Sequence, residues 1–140
     1  GGTANCTVVL SSEEIGSTII HNPESLIAMN RLSLDKFQPR VQDDCEVIIN
    51  SSLVDSSLAE TSRLRCFAVP ANDIANDLGN TKMANMVALG GFLQATACVD
   101  LKTAQDSLQN VIPARYSQLI PKNAEALAAG AEHVSKNGRI

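Results

Sequence analysis

Three sets of residues in this 140-residue chain have the type and spacing to do chemistry. Asn50, Ser51 and Ser52 close the apolar run Glu46 to Asn50 and so stand at a strand's carboxyl end. Open α/β sheets bind their ligands just outside such ends. Asn30 stands in the same relation to the run Ser25 to Met29. The second set is Gly1, Gly2, Thr3 and Asn5. Glycines let a ligand or a neighbouring chain come close to the backbone, and exposed N–H groups there can face an anion. The third is Asn85, inside an apolar helical face, where a buried amide without partners costs about 1–3 kcal/mol. Each set also has a plainer reading: a tight turn, loop capping, and packing within the domain.

None of these sets is a catalytic constellation. The chain has no G-x-S-x-G elbow, no G-x-G-x-x-G after a strand and no G-x-x-x-x-G-K, and its carboxylates are dispersed. Cys6, Cys45, Cys66 and Cys98 form no C-x-x-C pair, and the only histidines are His21 and His133. No metal site is expected from that spacing. The cysteines lie in apolar stretches and read as buried free thiols, which implies a reducing compartment and a cytoplasmic location. Aromatic residues are 3% of the chain, too few for stacking platforms. The net charge is −4 with scattered Lys and Arg, so no basic footprint for nucleic acid exists. No apolar run is long enough to span a bilayer.

The elements that must position these residues follow from the pattern. Ala4 to Leu10 and Ser17 to Ile20 read as two short strands of a hairpin around Ser11 to Glu14. Ser25 to Met29, Glu46 to Asn50 and Arg63 to Val69 read as further strands, the first two apolar enough to be buried on both faces. Ser33 is placed to cap a short helix that Pro39 limits. Pro70 starts the helix Ala71 to Leu78, which Gly79-Asn80 ends. Thr81, Asp100 and Asn123 are placed to cap helices over about 82–97, 101–110 and 124–135. In the 101–110 helix, Leu101, Ala104, Leu108 and Val111 share one face. Gly90-Gly91 in mid-helix costs roughly 1 kcal/mol per residue relative to alanine, so close packing must compensate. The expected fold is a layered α/β/α domain with a mixed β-sheet, its C-terminal helices following the strands. Residues 1–140 make one α/β domain in this reading.

In order along the chain, GGTANCTVVLSSEEIGS, IIHNPESLIAMN, SLDKF, VIINSSLV, VPANDIANDLGNTKMANMVALGGFL and NAEALAAGAEHV resemble the gamma subunits of 2-oxoacid:ferredoxin oxidoreductases. GGTAN and ANMVALGG are the specific parts. In that family a strand, a glycine-rich turn and a helix precede an Arg-Gly-Gly segment, so the resemblance implies that Gly1 is internal to the pattern and that this N-terminal unit is missing. It further implies a subunit without redox centres of its own. Thiamine diphosphate, magnesium and iron–sulfur clusters would sit in alpha, beta and ferredoxin-like delta partners, coenzyme A would be a cosubstrate, and ferredoxin would take the electrons. Gly1, Gly2, Thr3 and Asn5, then Asn50, Ser51 and Ser52, would lie at the acceptor or inter-subunit side, and Asn85 would anchor a helix. The GGTAN form is closer to the 2-oxoglutarate and branched-chain members than to the pyruvate members. The competing reading is a free-standing module that binds a small molecule or nucleotide.

Overall fold

The computed structural model describes residues 4–140. Its strands are β1 (Ser25–Ala28), β2 (Glu46–Asn50) and β3 (Arg65–Val69). Its helices are α1 (Arg31–Phe37), α2 (Ala71–Asp77), α3 (Ala84–Thr96), α4 (Leu101–Val111) and α5 (Ile120–Asn137). The α/β class and the run of helices after the strands are as the sequence predicts.

The sheet itself differs from expectation. Among the described residues it has three strands in the order β1-β2-β3, and both pairings are parallel, so it is not mixed. The expected hairpin is absent because Ala4–Leu10 and Ser17–Ile20 form no strand. Serine hydroxyls take local backbone donors instead: Glu13 N donates to Ser11 Oγ at 2.9 Å and Ile19 N to Ser17 Oγ at 3.1 Å. Val8 is 76% exposed and Ile19 74%, so neither meets an apolar face, and a hairpin with nothing to pack on is not stable in water.

Side chains alternate across the sheet with period two. Ile27, Ile48, Phe67 and Val69 face α2, α3 and α5, where Ala71, Ala75, Val87, Ala126 and Val134 meet them. Leu26, Ala28, Val47, Ile49 and Cys66 face the other way, against Leu34 of α1 and Val41, Val54 and Leu64 of the loops. The layers are therefore α/β/α, with one thin and one thick helical layer. Behind the thick layer, Leu93, Leu108 and Leu127 join α4 to α3 and α5. Ile112 joins that cluster, while Val111 is 71% exposed at the end of α4 and leaves the expected face.

Three caps shift by a few residues. Asn30, not Ser33, caps α1, its Oδ1 accepting from Ser33 N at 2.9 Å. Asn80 caps the 3₁₀ turn Thr81–Met83 that leads into α3, and α5 begins at Ile120 with Pro121 in its first turn. Asp100 caps α4 as predicted, accepting from Thr103 N at 3.1 Å.

The glycines have their compensation inside the domain. A Cβ on Gly90 would fall on the carbonyl group of Leu127, and one on Gly130 would fall on that of Val87. Residue 90 meets 127 and residue 130 meets 87, so α3 and α5 run antiparallel with their backbones in contact. Gly91 is less tightly seated: a Cβ there would lie 3.0 Å from a methyl group of Val69 and 3.2 Å from one of Val134. Gly90→Ala should therefore cost about 3 kcal/mol, the upper part of the overpacking range, because a helix backbone must move. Gly16→Ala, with nothing within 4 Å, should stay within about 0.5 kcal/mol. Chemical denaturation of both variants measures the contrast.

Candidate functional site

The carboxyl ends of the three parallel strands lie side by side, and Asn50 ties them together. It is the terminal residue of central β2 and is fully buried. Its Nδ2 donates to Met29 O beyond β1 at 3.2 Å and to Asn72 Oδ1 in α2 at 2.8 Å. Its Oδ1 accepts from Ala71 N, the first residue of α2, at 3.1 Å. One carboxamide thus links the end of β1, the end of β2 and the start of α2. Pro70 has no N–H to offer, and the next donor, that of Ala71, is the one Asn50 satisfies.

Ser51 and Ser52 continue the rim. Ser51 N donates to Val69 O at 2.9 Å, which holds the end of β2 beside the end of β3. Ser52 Oγ donates to Asp73 Oδ2 at 2.9 Å and accepts from Asp73 N at 3.1 Å. That reciprocal pair locks the first turn of α2, in the manner of a capping box. Asn30 stands on the neighbouring loop as the α1 cap. The structure thus brings Asn30, Asn50, Ser51 and Ser52 to one edge. It adds Asn72 and Asp73, which the sequence analysis missed; the signal was the Pro70 helix start, which places the next residues at the strand ends.

The other candidates lie elsewhere. Asn5 is exposed in the segment ahead of β1, with no hydrogen bond to the rim. Gly1, Gly2 and Thr3 lie outside the described residues. The reading of Asn85 as a buried amide is overturned: it is exposed in the first turn of α3. The buried face of that helix runs through Ala84, Val87, Ala88 and Gly91, and at 100° per residue Asn85 points off it.

The thiols also divide. Cys66 is fully buried, and burial pushes its thiol above the ordinary range. Cys45 is half-buried and is also raised, first by burial and then by the charges of Glu46 and Glu24. Cys6 and Cys98 are exposed, contrary to expectation. Cys98 follows Ala97, whose φ of 51° turns the chain out of α3 and away from the apolar cluster. Among the described residues, no three or more His, Cys, Asp and Glu side chains gather where they could hold a metal ion.

Below the sheet, Arg63 acts as a hub. Its guanidinium donates to Gln38 O at 3.0 Å and to Val41 O, and pairs with Glu60 at 2.7 Å and Asp43 at 3.0 Å. Hydrogen bonds to those two carboxylates raise its already high pKa. Buried Gln38 donates to Leu58 O at 3.1 Å and accepts from Glu60 N at 3.1 Å. These bonds fix the loop that returns to β3, and so the register Glu46 with Arg65.

The rim offers neutral donors and acceptors and the single carboxylate of Asp73. Such groups can shape, orient and hydrogen-bond a partner molecule. A family model described as pyruvate ferredoxin/flavodoxin oxidoreductase matches residues 1–133. The chain belongs to that family.

The chain is 34% identical over 140 residues to the ketoisovalerate oxidoreductase subunit VorA of Methanothermobacter marburgensis, covering 98% of this chain and 28% of that one. It therefore spans less than a third of that relative. It is 28% identical over 137 residues to the 2-oxoglutarate synthase subunit KorC of the same organism, covering 94% of this chain and 72% of the relative. A gamma subunit of a keto/oxoacid ferredoxin oxidoreductase from Geobacter sulfurreducens shares the fold with a TM-score of 0.78 at 20% identity, over 93% of this chain and 69% of that one. So does a 2-oxoglutarate:ferredoxin oxidoreductase from Magnetococcus marinus, with a TM-score of 0.76 at 15% identity, over 93% of this chain and 23% of that one.

The network sets a stability contrast within the chain. Asn50→Ala strands the Ala71 N–H and the Met29 carbonyl and should cost about 2–3 kcal/mol. Asn85→Leu, on an exposed face, should change stability by less than about 0.5 kcal/mol. Thermal unfolding of the two variants checks the assignment, and equal losses would contradict it.

Proposed function

We propose that this chain is a gamma-type subunit or domain of a 2-oxoacid:ferredoxin oxidoreductase and forms one wall of its acceptor side. The observation that carries this reading is the family match along nearly the whole chain, on a domain whose strand-end rim holds hydrogen-bonding groups. In this reading the complex decarboxylates a 2-oxoacid oxidatively, passes the electrons to ferredoxin and delivers the acyl group to coenzyme A. Thiamine diphosphate with magnesium and the iron–sulfur clusters belong to alpha, beta and ferredoxin-like delta partners. The names of the relatives, ketoisovalerate and 2-oxoglutarate enzymes, favour a 2-oxoacid larger than pyruvate.

The work of this chain is then positional. Asn50 holds the strand ends in fixed relation, so Ser51, Ser52 and Asn72 are pre-ordered and lose little freedom when a partner or cosubstrate meets them. In this reading the complex works in the cytoplasm. No described helix is long and apolar enough to cross a membrane.

Purification of the natural complex tests the assignment. The chain should come down with thiamine-binding and iron–sulfur subunits, and the assembly should reduce ferredoxin only when a 2-oxoacid and coenzyme A are both supplied. A solitary chain that binds a nucleotide tightly would overturn it. Within the active complex, Ser52→Ala should raise the KM for coenzyme A by roughly fivefold with kcat little changed, the loss of about one hydrogen bond. A fall in stability with an unchanged KM would restrict Ser52 to capping α2 and move the acceptor side elsewhere.

A further inference from the structure

The outward carbonyls of β3 are taken by the chain's own later residues. In a parallel pair, alternate residues of a strand turn their backbone groups to one side. Arg65 N donates across to Cys45 O and Val69 O accepts from Ser51 N, both on the β2 side. The backbone groups of Cys66 and Ala68 therefore point outward, where an edge strand is open to pairing with another chain. Both outward carbonyls are already occupied. Ile140 N donates to Cys66 O at 2.9 Å, and His133 Nε2 lies 3.1 Å from Ala68 O.

The elements that deliver these two groups are held by contacts of their own. His133 Nδ1 lies 3.3 Å from Asn137 Nδ2, so the tautomer that donates from Nε2 and accepts at Nδ1 satisfies both contacts. Asn137 Nδ2 also donates to His133 O at 2.8 Å, which fixes its amide beside the ring. After α5, Gly138 takes φ 68° and ψ −159°, a backbone conformation that glycine alone adopts readily. That one residue turns the chain from the helix direction to the β3 edge. A side chain there would meet nothing within 4 Å, so the requirement for glycine is conformational and not steric. The strand it guards, Arg65 to Val69, has one charge, no proline and strong β-formers.

We infer that Gly138–Ile140 and His133 form a strap that blocks strand addition at β3, and that its release exposes β3 to edge-to-edge pairing with a second copy of this chain. The inference is independent of the proposed function.

The cleanest test is Ile140→Pro, which removes one donor and leaves α5 whole. In the complete wild-type protein, the Ile140 amide should exchange with solvent clearly more slowly than an unstructured amide. Ile140→Pro, and separately Gly138→Val, should strengthen self-association by roughly five- to tenfold in sedimentation velocity, the scale of one lost backbone hydrogen bond. The amides of Val47 to Ile49 should stay protected in both variants, which separates release of the strap from unfolding. An unprotected Ile140 amide in the wild type would overturn the inference. So would folded variants that self-associate no more than the wild type.

Discussion

Two helices can touch backbone to backbone only where neither carries a Cβ at the crossing. Gly90 and Gly130 meet that condition, each seated on a carbonyl group of the other helix. The rest of the domain follows from it. With α3 and α5 drawn together, Val87, Ala126 and Val134 reach the sheet at Ile48 and Val69 as one surface. Ala84, Ala88 and Ala131 of the same two helices are buried, and small residues suit helices packed this closely. The conformational cost of helical glycine is roughly 1 kcal/mol per residue. The packing gained across the crossing offsets it, since each apolar side chain fully buried contributes about 1.5–3 kcal/mol.

The helix layer fixes the sheet, and the sheet fixes the rim. α2 begins directly after β3 and lies under α3, so its first turn has one place to go. Asn50 records that placement in hydrogen bonds. A carboxamide at this point serves better than an apolar side chain, because three polar groups of separate elements converge there and all need partners. The same bonds make the strand ends a stiff surface. In the role proposed above, a stiff wall would be of use without chemistry of its own, since it would keep the acceptor in line.

Much of this was readable from residue order. Two-faced apolar runs gave the strands at 25–29 and 46–50, and the Pro70 and Asp100 signals gave two helix starts, because these depend on local chemistry. The failures have a common cause, which is that tertiary surroundings are not local. Ala4 to Leu10 has the composition of a strand, but among the described residues no neighbouring strand pairs with it. Asn85 lies in an apolar stretch because α3 is covered on several sides, by the sheet, α4 and α5, so neighbours in sequence say little about which way one residue points. The apolar neighbours of Cys98 predict a buried thiol, but the left-handed Ala97 sends it outward. Gly90 carried a correct signal of close approach, but its partner in α5, forty residues later, could be found only in three dimensions.

The claim that one glycine crossing sets the helix layer is tested most directly by a double-mutant cycle of Gly90→Ala and Gly130→Ala, read by denaturant unfolding. If both substitutions pry apart the same contact, the second should cost much less once the first is present, with a coupling above about 1 kcal/mol. Costs that add to within about 0.5 kcal/mol would mean two independent sites and contradict the account.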